Sequence, residues 1–162
     1  GRASASRERR PATSSGGNQD GDNASEARRE ESSPVASSGP VTWQWPAEGE
    51  LVGRFDGEAM SGRGITIAGR EGAPVRAAGA GTVVYRGNGL TGYGNLLIVK
   101  HNRQWLSAYA HNREMLVKEG ASVDAGQRIA TMGASGTYRT QLHFEIRREG
   151  QPVDPVPLLP ER

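Results

Sequence analysis

From Val41 onward the chain is a series of short apolar runs, each closed by a turn signal, and little of it carries helical spacing. The runs at 64–68, 74–77, 80–85, 95–101, 104–110, 128–132 and 142–148 have strand length and strand composition. Gly69, Gly72, Gly87-Asn88-Gly89, Asn102-Arg103 and the stretch Gly133 to Gly136 separate them. Many strands at short spacing can bury their apolar faces only by pairing and stacking, so the expected fold is an all-β antiparallel sheet or sandwich. Two residues, Asn102 and Arg103, join the runs 95–101 and 104–110 and predict a tight hairpin. Residues 112–117 (NREMLV) have the one helical look, over too short a span to build on. The pattern from Val117 to Ala130 resembles that of 72–84, as paired short strands do in β-rich domains. Lipoyl-type carriers share such pairs but need a lysine at a hairpin tip, and neither Lys100 nor Lys118 sits in one.

Composition sets the boundary of this region. Residues 1 to about 40 are Ser, Gly, Ala, Arg and Glu, with six Arg against six Asp plus Glu. Such a segment cannot bury enough apolar area to offset its ordering entropy, so 1–40 is expected to be a disordered linker and 41–162 the folded domain. Trp43 and Trp45, alternating with Thr42 and Gln44 ahead of Pro46, are expected to pin the start of the domain to the sheet. The formal net charge is +2, and no Lys/Arg cluster with interleaved aromatics argues for nucleic acid. Cysteine is absent, which excludes disulfides and thiolate metal sites. No apolar run approaches the length of a membrane span.

The candidate chemistry lies in two segments. In the strand Thr140-Gln141-Leu142-His143-Phe144-Glu145-Ile146-Arg147, alternation puts Gln141, His143, Glu145 and Arg147 on one face. A zinc site could use a His-x-His pair here, and Gln141 stands where its first imidazole would be. Upstream, Gly62-Arg63-Gly64-Ile65-Thr66 has the shape of His-x-Gly-Ile-Asp with neither the His nor the Asp. Zinc needs about three protein ligands in fixed geometry, so no metal and no cofactor is expected. The two-residue period puts Tyr109 on the face of His111. Gly92-Tyr93-Gly94 reads as a low turn displaying one aromatic. His101 belongs to no spacing motif and is expected to be an exposed strand-end residue.

These segments resemble the LytM (lysostaphin-type) zinc metallopeptidase family over about 53–155. The resemblance implies an antiparallel β-domain and a peptidoglycan-related role. It assigns the zinc-ligand positions to Gly62, Thr66 and His143, and the catalytic positions to Gln141 and His111. The runs GNGLTGYGNL at 87–96, LSAYAHN at 106–112, ATMG at 130–133 and LHFEIRREGQPVDP at 142–155 are similar to a degenerate, non-catalytic branch of that family. Its members activate a periplasmic N-acetylmuramoyl-L-alanine amidase during daughter-cell separation, and are anchored at the outer membrane through a leading part that also carries a LysM peptidoglycan-binding module. The resemblance thus implies an amidase partner, peptidoglycan bound mainly through that module, and a docking groove at the former active site. Arg63, Thr66, Tyr93, Tyr109, His111, Gln141, His143 and Arg147 are its expected lining. Two alternatives stand beside this: a residual zinc endopeptidase using His111, His143 and Glu145, and a passive peptidoglycan-binding module.

Overall fold

A computed structural model describes residues 40–162; the expected linker at 1–40 lies, but for Pro40, outside them. Eleven strands are described: β1 (Leu51–Gly53), β2 (Ile65–Ala68), β3 (Pro74–Arg76), β4 (Gly81–Gly87), β5 (Leu96–Lys100), β6 (Trp105–Ala110), β7 (Asn112–Met115), β8 (Ser122–Val123), β9 (Arg128–Met132), β10 (Gln141–Arg148) and β11 (Gln151–Val153). Single 3-10 turns occur at Ser61–Arg63 and Val156–Leu158. The fold is all-β, and every described pairing is antiparallel.

The large sheet runs β1-β2-β10-β6-β5-β4-β8, with β11 paired to β10 beyond β2; the small sheet runs β3-β9-β7. β10 is the axis of the large sheet. From His143 to Arg148 it pairs with β6, facing Ala110 to Trp105, while its first half pairs with β2 and its last three residues with β11. Alternation along it is strict. Leu142, Phe144 and Ile146 enter the main core with Ile65, Ile67, Leu97, Val99 and Tyr109, against Val75, Ile129 and Met132 of the small sheet. Gln141, His143, Glu145 and Arg147 therefore emerge on the other face. That face carries a smaller apolar cluster of Tyr93, Leu96, Ala108 and Ala110.

Three local expectations are corrected. Residues 112–115 form β7, not helix, because Asn112 to Met115 pair with β9; the apparent helical spacing came from a strand with one half-wet face. The hairpin between β5 and β6 turns over three residues rather than two. His101 N–H bonds to the Trp105 carbonyl, and the Asn102 side-chain oxygen accepts the Gln104 and Trp105 N–H groups, closing an Asx turn. His101 itself is buried, not exposed. Its Nδ1 donates to the Ala80 carbonyl and its Nε2 accepts from Ser107, whose Oγ bonds Tyr109, which in turn accepts the Ala78 N–H. Burial pushes the His101 pKa down, which suits this neutral relay. Trp43 packs edge-on against both His101 and Trp105, at 5.0 and 5.6 Å. Trp45 donates to the Pro160 carbonyl and lies under the Arg162 guanidinium at 3.8 Å, so the first and last described segments close on each other.

Candidate functional site

On the site face of the large sheet, Glu145 is the organising side chain. It is wholly buried. One carboxylate oxygen accepts His143 Nε2–H and the Tyr93 hydroxyl, each at 2.8 Å; the other accepts Arg147 Nε–H at 2.8 Å. Arg147 also reaches the Tyr93 hydroxyl, at 3.3 Å. Burial alone would raise the Glu145 pKa, but these donors and the His143 charge outweigh it and hold the carboxyl below its ordinary value. The same burial, with Glu145 beside it, raises the Tyr93 phenol. A charged, paired group at this depth fixes three neighbours in one arrangement, since leaving any partner unpaired is costly.

His111 stands beside this network, its ring 6.2 Å from that of His143. It follows the last residue of β6 with φ +71°, a conformation non-glycine residues rarely hold. Two bonds hold it there: His111 N–H to the Tyr93 carbonyl at 2.9 Å, and Nδ1–H to the Ser135 carbonyl at 2.7 Å. Burial first, then the His143 charge, lowers its pKa. Strain of this kind persists only where the surroundings over-determine it. Here they are two loops in backbone contact. Gly94, at φ +62°, leaves no room for a Cβ against the Ser135 carbonyl, and a Cβ on Gly136 would lie 2.6 Å from Gly94 N. Ser135 Oγ accepts Asn95 N–H and donates to the Asn112 carbonyl, locking the loops together.

Between these loops and the segment after β1 lies a cleft of about 640 Å³, floored by Thr66, His111, Gln141 and His143. Thr66 faces His143 directly across the β2–β10 pair, and Gln141 Nε2–H bonds the Thr137 hydroxyl at 3.3 Å. Arg147 and Arg63 flank a second, polar hollow of about 480 Å³ on the far side of Glu145.

Four of the eight expected lining residues are outside the cleft: Arg63 and Arg147 line the second hollow, and Tyr93 and Tyr109 are buried. Tyr109 is in the main core, fully buried, ring to ring with Phe144 at 5.4 Å and its phenol pushed by burial up to about 12. The two-residue period carried from Tyr109 to His111 fails because β6 ends at Ala110 and the positive φ at His111 turns its ring to the opposite face. Tyr93 is not displayed either. It is 7% exposed and inserts its hydroxyl into the Glu145 network, the flanking glycines serving close loop packing. The sequence reading missed Ser135, Asn95 and Asn112, and the rim residues Val52, Met60 and Tyr138. The Gly133 to Gly136 turn was the available signal for Ser135.

Residues 61–155 match Peptidase family M23. The chain is 56% identical over 131 residues to a lipoprotein NlpD/LppB homolog of Pseudomonas aeruginosa, covering 80% of this chain and 44% of that protein. It is 53% identical over 127 residues to the murein hydrolase activator NlpD of Escherichia coli K12, covering 78% of this chain and 34% of the relative. The chain thus spans less than half the length of either. Among solved structures, a zinc-containing peptidase from Vibrio cholerae superposes with a TM-score of 0.64 at 30% identity, over 70% of this chain and 39% of that one. With the match covering most of the folded region and identities above half, the chain belongs to peptidase family M23, and its NlpD-type relatives share its LytM domain.

Proposed function

We propose that this domain is a non-catalytic activator of a peptidoglycan hydrolase, and that its partner is a periplasmic N-acetylmuramoyl-L-alanine amidase. The names of the relatives at 53% and 50% identity, murein hydrolase activators, support activation. The lipoprotein names of others support an outer-membrane anchor in the periplasm. The observation that carries the non-catalytic reading is the donor set. At the three positions that the family resemblance assigns to zinc, Gly62 has no side chain, and a Cβ there would overlap the Asp56 carboxylate. Thr66 offers a hydroxyl, a poor zinc ligand. His143 alone carries an imidazole, and its Nε2 is already given to Glu145. The residues present do not fit a zinc centre.

Activation requires that the domain bind the amidase's open state more tightly than its closed one; equal affinity would shift nothing. In this reading the cleft over Thr66, His111, Gln141 and His143, with Arg63 and Arg147 beside it, captures the amidase's regulatory element. Removing that element from the amidase's own metal site leaves the hydrolytic chemistry to the partner.

The test is release of label from dye-labelled sacculi by the amidase with and without the domain. The domain alone is expected to release nothing and to raise release by the amidase. Purified without chelator, it is expected to hold far less than one zinc per chain and to melt at the same temperature with chelator present. Chelator-sensitive release by the domain alone would instead establish a zinc endopeptidase.

A further inference from the structure

All nine aromatic side chains of the sequence lie within the described residues, and eight are buried or half-buried. The ninth, Tyr138, is 86% exposed. It stands on the rim of the cleft, in the loop between β9 and β10, with the Arg139 guanidinium 5.4 Å from its ring centre. Nothing in the fold asks for an aromatic there: its loop is already held by Thr137 N–H to the Ala134 carbonyl and by the Gln141–Thr137 bond. Leaving a large ring in water forgoes its burial. Across the cleft the opposite rim is apolar as well, with Val52 44% exposed and Met60 beside it. Among the residues lining the cleft none is acidic, and Arg139 alone carries a permanent charge.

We propose that Tyr138 and Arg139 form the anchor by which the cleft seizes its protein partner, and that the docking segment presents an apolar residue beside a carboxylate. This rests on the reading of the domain as a hydrolase activator. The apolar residue lies between Tyr138 and the Val52–Met60 rim, which a bound segment would cover together. The carboxylate pairs with Arg139, whose guanidinium stands beside the Tyr138 ring, so one docking segment meets both side chains together. Tyrosine and arginine are the residue types that most often dominate such interfaces. Charge complementarity decides the sign of the partner: a cationic cleft without a single carboxylate on its lining repels a basic segment and steers an acidic one.

Titration of the amidase with the domain, read as label release from dye-labelled sacculi, tests this. Tyr138→Ala is expected to raise the half-stimulating concentration about thirtyfold, a typical loss for an interface anchor. Arg139→Glu is expected to lose more, and the wild-type value is expected to rise with salt while that of Arg139→Glu does not. Tyr138→Phe keeps the ring and is expected to keep most of the stimulation. Both side chains are solvent-exposed, so melting temperatures are expected to match wild type. Wild-type stimulation with unchanged titrations for Tyr138→Ala and Arg139→Glu overturns the anchor and leaves the activator reading standing. A wild-type domain that stimulates no amidase overturns both. A Tyr138→Ala variant that loses co-sedimentation with sacculi but keeps amidase stimulation assigns the rim to glycan instead of protein, and overturns the proposal.

Discussion

Glu145 accepts hydrogen bonds from three side chains: Tyr93 from a loop 52 residues away, and His143 and Arg147 from its own strand. Truncating it leaves an imidazole, a phenol and a guanidinium without their acceptor at a buried site. Glu145→Ala is therefore expected to cost about 3 kcal/mol or more in denaturant unfolding, where a surface carboxylate would cost almost nothing. The titrating groups also set a pH profile. His101 and His111 have pKa values below their ordinary 6.5 in the folded state. Between the lowered value and 6.5 the unfolded chain binds more protons, so stability falls as pH drops below neutrality through that window and levels off beneath it. Glu145, also depressed, adds a second loss further into acid, as pH falls through its own folded value. Melting temperature against pH is expected to decline in these two stages; a flat profile from pH 7 to 5 would contradict the neutral, buried assignment of the two imidazoles. At this scale the sequence was a good guide along β10, where alternation is unbroken and puts Gln141, His143, Glu145 and Arg147 on one face. It was a poor guide at Tyr93 and Tyr109. Where their rings go depends on a positive φ at His111 and on a carboxylate 52 residues from Tyr93, neither of which strand periodicity encodes.

The elements that build the cleft are two loops more than the strands. The strands fix the floor, because β10 pairs with β2 on one side and β6 on the other. The walls depend on the contact of the Gly94 and Gly136 backbones, close enough that neither admits a side chain. Gly94→Ala adds a methyl group at φ +62° against the Ser135 carbonyl, so both the left-handed backbone and the overlap oppose it. That variant is expected to lower the melting temperature and release Ser135 from His111. In amide exchange the Asn95 N–H, bonded to Ser135 Oγ, is expected to lose protection while the β5–β6 pair keeps it. Equal protection at Asn95 would show that the loops do not depend on each other. Strand positions were legible because glycine and asparagine punctuate them, and seven of the expected runs coincide with strands to within a few residues. The short strands β1, β7, β8 and β11 were not. They are two to four residues long, and such segments have no periodicity of their own and form because a longer neighbour offers its edge.

Considered whole, the domain places its core between two sheets and carries the cleft on the far face of the larger one. That face keeps one imidazole where the family resemblance puts three zinc ligands, and the imidazole is engaged by a buried carboxylate. The account therefore assigns the cleft to recognition and the hydrolysis to a partner. Thr66 opposes His143 in the floor, so Thr66→Glu puts an unpaired carboxylate where the proposed acidic segment would seat. Tyr109→Phe is the matched control in the core: it strands the buried Ala78 N–H, at a cost of about 1–3 kcal/mol, without touching the cleft. The most direct measurement is amidase-driven release of label from sacculi with wild type and these two variants, each first confirmed folded by its melting curve. The account predicts strong stimulation by wild type and by Tyr109→Phe, and almost none by Thr66→Glu. Stimulation by Thr66→Glu equal to wild type would contradict it.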